Sequence, residues 1–231
     1  SYQTYEHSSS EIDRILDSNI LLGAYLVESM KNEKIKYFIN TGTFWQNYNN
    51  EDYNPVSLYA ACKQAFVDLI KYYTEKGLIK GITLKLFETY GPNDPRKKLL
   101  YYINEAIENN MRLDMTPGEQ MINIVHVDDI AHAFFISINR ILSKNVQPYE
   151  EFNVRSLKNI KLSDFVMKYL SITKSTIKIN WGGIPYRDRE ILHPYDKGKL
   201  LPGWSPNVSI EDGLQEIANK LKWEKTYFLL M

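Results

Sequence analysis

Cysteine is nearly absent: Cys62 is the single one in 231 residues. No internal disulfide can form, and a reducing compartment, the cytoplasm, is the expected location. Neither charge dominates, because 28 Lys and Arg balance 28 Asp and Glu. No overall field therefore draws the chain to nucleic acid or to an anionic membrane. Long apolar runs are also missing. The stretch 131–138 is interrupted by His132 and Ser137 and falls far short of the ~20 residues a membrane span needs. The chain opens Ser1-Tyr2-Gln3, without Met and without a basic-plus-apolar leader, so an upstream portion is expected and a secretion signal is not. Glycine is sparse, 11 residues with no Gly-x-x-Gly-x-x-Gly spacing. A phosphate-cradling loop at a helix N-terminus is thus not written here.

What is present is an ordinary globular composition, 44% apolar and 24% charged. Ser10 followed by Asp13 marks a helix start. Ile12, Ile15, Leu16, Asn19, Gly23, Leu26, Val27 and Met30 then recur at helical spacing, so 11–31 read as one long amphipathic helix. Residues 36–40 read as a buried strand ended by the turn Thr41-Gly42-Thr43, with a polar loop over 46–54. Pro55 opens a second helix whose stripe runs through Leu58, Cys62, Ala65, Phe66, Leu69 and Tyr73 to a stop at Gly77. Strands are expected at 81–87, 122–127, 151–154 and 176–181, and a loop at 90–95. Helices are expected at 99–109, from Asp128 or Asp129 as cap to about Leu142, at 162–170 and at 210–221. Such alternation predicts an α/β fold with a mostly parallel sheet.

Chemistry enters with Tyr59 and Lys63, one helical turn apart on one face. An ammonium beside a phenol favours phenolate, which suits a tyrosine that exchanges a proton with a sugar hydroxyl or ketone. The spacing alone is weak, since Tyr72/Lys76 and Tyr195/Lys199 share it. Context separates the first pair. A strand ending near Thr41 precedes it, and ligands of open α/β sheets bind at the carboxyl ends of strands. Thr83-Leu84-Lys85-Leu86-Phe87-Glu88-Thr89-Tyr90-Gly91-Pro92 and Ile124-Val125-His126-Val127-Asp128-Asp129 follow it. Gly203-Trp204-x-Pro206 and Glu211-Asp212-Gly213-Leu214 come later.

This succession resembles the extended short-chain dehydrogenase/reductases, the NAD-dependent epimerases and dehydratases that act on nucleotide sugars. The resemblance implies an incomplete Rossmann-type parallel sheet, its N-terminal strands lying upstream, with a smaller C-terminal substrate domain. It divides the chain into a partial dinucleotide-binding domain, 1–92 and 121–156, and a substrate-binding domain, 93–120 and 157–231. Thr41, Tyr59 and Lys63 match the catalytic residues, and together with Phe87 they would line an NAD or NADP cofactor. Thr43, Glu88 and Arg187 match substrate-binding positions, Arg187 as a fork for the diphosphate, and Arg96, just after the 90–95 loop, is placed to reach the substrate nucleotide unless it only forms a loop face. A homodimer through helices 11–31 and 55–76 is implied as well. Gly42-Thr43 follows Thr41 where sugar 4,6-dehydratases carry Asp-Glu, so water elimination is not expected. Glu88 stands where many relatives carry Asn, and resembles the branch that makes dideoxyhexoses from CDP-linked 4-keto sugars for O-antigen biosynthesis.

The expected activity is therefore NAD(P)-dependent ketoreduction at C4 of a CDP- or dTDP-linked deoxysugar. A nucleotide-sugar 4-epimerase and a cofactor-less binding module on the same fold are the alternatives. Without the glycine loop, these 231 residues alone are expected to bind NAD(P) weakly and to be inactive. No metal is expected: His7, His132 and His193 lack ligand spacing. His126 reads as structural, Asp128/Asp129 as a helix cap, and Lys98 with Arg96 as a loop face.

Overall fold

The computed structural model describes residues 2–143 and 146–229. In chain order the main elements are α1 (Ile12–Leu16), α2 (Leu22–Asn32), β1 (Tyr37–Thr43), α3 (Leu58–Glu75), β2 (Lys80–Leu86) and β3 (Glu88–Tyr90). Then come α4 (Leu99–Glu108), β4 (Leu113–Met115), β5 (Met121–Ile122), β6 (Ile124–His126) and α5 (Val127–Ile141). The chain closes with β7 (Tyr149–Val154), β8 (Ile160–Lys161), α6 (Leu162–Thr173), β9 (Ile179–Trp181) and α7 (Ile210–Leu229). No helix among the described residues is long and apolar enough to cross a membrane. Two compact units emerge: Ser1–Phe87, Ile130–Arg155 and Pro194–Trp204 form the first, and Glu88–Asp129, Ser156–His193 and Ser205–Met231 the second.

The first unit is built on a parallel sheet of order β1-β2-β7, with Thr43 opposite Leu86 and Leu86 opposite Val154. Parallel strands need helical crossovers, and α3 supplies the one between β1 and β2. Central β2 is buried from Gly81 to Lys85, and its polar residues find partners. The Asn40 amide donates to Thr83 Oγ1 at 3.2 Å, and Lys85 Nζ lies 2.8 Å from Glu151 Oε1. Val27, Phe66, Ile70 and Ile79 form an apolar cluster beside the sheet. Gly23 permits it, because a Cβ there would stand 2.4 Å from the Phe66 ring.

The expected helix over 11–31 is interrupted. A single π turn, Asp17–Leu21, separates α1 from α2. Its cause is Asn19, whose buried amide donates to the Ile15 and Tyr2 carbonyls at 2.9 Å each. A side chain that takes the i−4 carbonyl competes with the helical ladder. The cap is Ser8, not Ser10: it starts the 3-10 turn Ser9–Glu11 that leads into α1, and Ser8 N donates to the Glu11 carboxylate at 2.8 Å, closing a capping box two residues earlier. Likewise Pro55 only precedes the second helix. Ser57 is its N-cap, its hydroxyl accepting from Ala60 N at 3.3 Å. Gly77, at φ +68°, ends that helix as expected.

The second unit holds two parallel pairs, β3–β6 and β4–β9, and the antiparallel pair β5–β8. Its core gathers Tyr90, Ile103, Ile124, Phe165, Tyr169 and Leu214 from strands and from α4, α6 and α7. The strand expected at 122–127 breaks at buried Asn123, whose amide donates to the Ser156 carbonyl at 2.9 Å and to Asn159 Oδ1 at 2.7 Å. Its own oxygen accepts from Ser156 N at 2.9 Å. The short strands β3, β4 and β8 have no period-2 signature long enough to read from sequence. The helix expected to start at Asp128 or Asp129 starts at Val127, so both lie in its first turn, and His126 Nδ1 accepts from Asp128 N at 3.4 Å. The Asp129 carboxylate accepts from Asn207 N at 2.8 Å and Val208 N at 3.1 Å.

Candidate functional site

β1 runs through Thr43 rather than stopping at Asn40, so Thr41 lies inside the strand, opposite Leu84. Thr43 ends it at the carboxyl edge and starts a 3-10 turn, Phe44–Gln46. Its hydroxyl accepts from Trp45 N at 3.3 Å, while its own N–H donates to Gln46 Oε1 at 2.9 Å. The second half of Gln46 points the other way, Nε2 donating to Gln64 Oε1 at 2.6 Å. Gln64 follows Lys63 on α3. A chain of hydrogen bonds thus ties the strand end to the helix that carries Tyr59 and Lys63.

The aromatic residues of this turn do the rest. Phe44 stacks on Phe87, centroids 4.9 Å apart and planes at 13°, while Trp45 packs edge-on against Tyr59. Tyr5 packs edge-on against Trp45 in turn. Three consecutive side chains therefore contact Phe87, Tyr59 and the helix position beside Lys63. The expected turn at 41–43 and polar loop over 46–54 leave Phe44 and Trp45 in neither. The signal was there in Thr43-x-x-Gln46, a capping box.

Tyr59 is 6% exposed and Lys63 8% exposed. Burial lowers the Lys63 pKa, and among the described residues no hydrogen-bond or ion-pair partner engages its ammonium. A buried cation without an anion is costly. The loop before α3 is fastened too. Asn50 and Asp196 exchange hydrogen bonds at 2.8 and 3.1 Å, and Tyr195 Oη donates to Asp52 at 2.9 Å. Of the two look-alike pairs, Tyr195 is thus engaged by Asp52, and burial, then this hydrogen bond, pushes its pKa up to about 12. Tyr72 is 53% exposed, with the Lys76 ammonium over its ring.

The remaining expected site residues belong to the second unit. Glu88 opens β3, its N–H donating to the Asn123 carbonyl at 3.1 Å. Arg96 forks onto Asp94, at 2.7 and 2.8 Å, and Lys98 donates to the Thr89 carbonyl at 3.3 Å. Arg187 is exposed in the loop that follows β9, its carbonyl accepting from Glu190 N at 3.2 Å. His126 is 1% exposed, with the Tyr90 ring edge-on at 5.3 Å.

A parallel sheet with a helical crossover, β1-α3-β2, is the arrangement of a Rossmann-type fold. The chain belongs to the NAD dependent epimerase/dehydratase family, whose model matches residues 2–154. It is 30% identical to the CDP-abequose synthase of Salmonella muenchen over 217 residues, 92% of this chain and 72% of that protein. Its fold is shared by the UDP-glucose 4-epimerase of Thermotoga maritima, solved with UDP-glucose. There the TM-score is 0.80 at 20% identity, covering 94% of this chain and 73% of that one. The UDP-glucose 4-epimerase of Thermus thermophilus, solved with NAD, gives a TM-score of 0.73 at 18% identity, covering 88% and 70%.

Proposed function

We propose that the protein is a nucleotide-sugar oxidoreductase that reduces the C4 ketone of a CDP- or dTDP-linked deoxysugar. The observation that carries this reading is the buried pair Tyr59 and Lys63, held to the end of β1 by the Thr43–Gln46–Gln64 hydrogen bonds. NAD(P)H, when bound, supplies the hydride to the sugar carbon. Tyr59 gives its phenolic proton to the carbonyl oxygen, which becomes the hydroxyl, and Lys63 favours the phenolate left behind while holding the nicotinamide ribose. Thr41 hydrogen-bonds the reacting oxygen, Phe87 lines the cofactor, and Thr43, Glu88, Arg96 and Arg187 bind the substrate, Arg187 at the diphosphate.

In this reading 1–92 and 121–156 form the dinucleotide-binding part, and 93–120 and 157–231 the substrate-binding part. The 30% identity to a CDP-abequose synthase supports the CDP-sugar branch. A second copy of the chain is proposed to cover the 11–31 and 55–76 helices, on which Leu22, Tyr25 and Tyr72 are 62%, 66% and 53% exposed.

The test is consumption of reduced nicotinamide by the chain, joined to any upstream portion its gene encodes, with a CDP-linked 4-keto deoxysugar. Stoichiometric consumption is expected. Interconversion of C4 epimers without net consumption would replace the reductase with an epimerase. Tyr59→Phe is expected to lower turnover by ~10²–10⁴-fold, the usual contribution of a positioned acid/base group, with folding retained. Tyr72→Phe should stay within a few-fold of wild type.

A further inference from the structure

Outside the site just described, the second unit holds one cluster with an unmet chemical demand. His126 ends β6, Asp128 lies in the first turn of α5, and Glu216 projects from α7. Asp128 Oδ2 lies 3.7 Å from His126 Nδ1, and Glu216 Oε2 lies 3.4 Å from Nε2. One ligand atom from each residue falls within 4.8 Å of the other two. The imidazole is buried, and among the described residues its Nε2 has no hydrogen-bond partner even though a carboxylate oxygen is so near. Both acids are exposed, Asp128 at 76% and Glu216 at 51% of their side chains, so an ion could enter from solvent.

We propose that His126, Asp128 and Glu216 bind one divalent transition-metal cation of the zinc type. One imidazole with two carboxylates suits zinc or cobalt, whereas magnesium and calcium prefer all-oxygen sets. Zinc takes such ligands at about 2.0–2.2 Å in tetrahedral array, which puts neighbouring ligand atoms about 3.4 Å apart. The His126–Glu216 separation already has that value. Asp128 stands beside Nδ1, which accepts from its backbone N–H at 3.4 Å, and its exposed carboxylate closes the set by swinging to the Nε2 side. The bound ion would clasp the β6–α5 junction to α7 and satisfy the buried nitrogen.

The experiment is calorimetric titration of the untagged, chelator-treated chain with zinc chloride, paired with thermal unfolding in zinc and in magnesium. One zinc per chain at micromolar affinity is expected, with a raised unfolding midpoint in zinc and none in magnesium. Glu216→Gln and Asp128→Asn, both at exposed side chains that folding can spare, should each weaken binding at least tenfold and remove the midpoint shift. His132→Gln should bind as wild type does. No binding up to millimolar zinc, an equal response to magnesium, or undiminished binding by Glu216→Gln would overturn the proposal.

Discussion

The indole of Trp45 meets the phenol of Tyr59 edge-on, with ring centroids 6.0 Å apart and planes at 90°. The contact comes from a turn three residues long whose start is fixed by Thr43 and whose end is fixed by Gln46. An aromatic pair of this geometry is worth about 0.5–1.5 kcal/mol beyond its buried area. It therefore holds the Tyr59 ring in one orientation at modest cost. Trp45→Leu removes the edge contact but keeps an apolar side chain. The expected result is a drop in turnover of up to about tenfold, as 1.4 kcal/mol is one decade in rate, with cofactor affinity unchanged. Equal loss of cofactor affinity would move Trp45 from orienting Tyr59 to shaping the cofactor site.

Lys63 predicts a pH dependence. Burial lowers its pKa in the folded chain, whereas the unfolded chain titrates it near ~10.4. Between those two values the unfolded state binds more protons, so stability rises with pH across that window. Below the folded value the charged ammonium costs stability in full. Lys63→Met should consequently raise the unfolding midpoint of the cofactor-free chain near neutral pH. The gain should shrink as pH approaches the unfolded lysine value. A gain that is constant with pH would mean that packing, not charge, sets the difference.

Gly23→Ala tests the crossing of α2 and α3. The added methyl would stand 2.4 Å from the buried Phe66 ring. Overpacking of this kind costs about 1–3 kcal/mol, more than the ~1 kcal/mol that alanine returns through helix propensity. Denaturant unfolding should show a net loss, relieved when Phe66→Leu is added. A stabilised single variant would show that the ring can move aside.

Asp129→Ala should destabilise the chain by about 1–3 kcal/mol, the cost of leaving buried hydrogen-bonding groups without partners. Its carboxylate is the acceptor for two backbone N–H groups, those of Asn207 and Val208. Asp129→Asn keeps one acceptor oxygen and should recover part of the loss. Urea midpoints for the three proteins rank the outcome.

These cases show which parts of the molecule were legible in the sequence. Strands β1, β2 and β7 and helix α3 could be read because burial and period are local properties. The helix start could not be placed within Ser8-Ser9-Ser10, since three serines offer the same oxygen and only Glu11 chooses among them. Thr41-Gly42-Thr43 looked like a turn because glycine and small hydroxyls favour one, yet pairing with Leu84, Lys85 and Leu86 keeps it extended. Asp129 and Asn123 found partners far along the chain, at Asn207 and Ser156, where no local rule reaches. For the same reason the first compact unit is left at Phe87 and Glu88 opens the second. Pairing of Glu88 with Ile124 draws β3 to β6.

Each compact unit is assembled from three stretches of chain, and the stretches alternate along the sequence. The centre of the first sheet shows what that means during synthesis. Gly81 on β2 has no partner on one side until Tyr149 has been made. At about 5–20 residues per second, a ribosome needs roughly 3–14 s to cover that distance. For that time an apolar strand carries a bare edge, the feature most apt to pair with a neighbouring nascent chain. Finer division of the polypeptide would not help, since any cut between residues 88 and 193 leaves pieces of both units on either side. Soluble yield should therefore depend on elongation rate and on chaperones that shield early strands, more than on the stability of the finished protein.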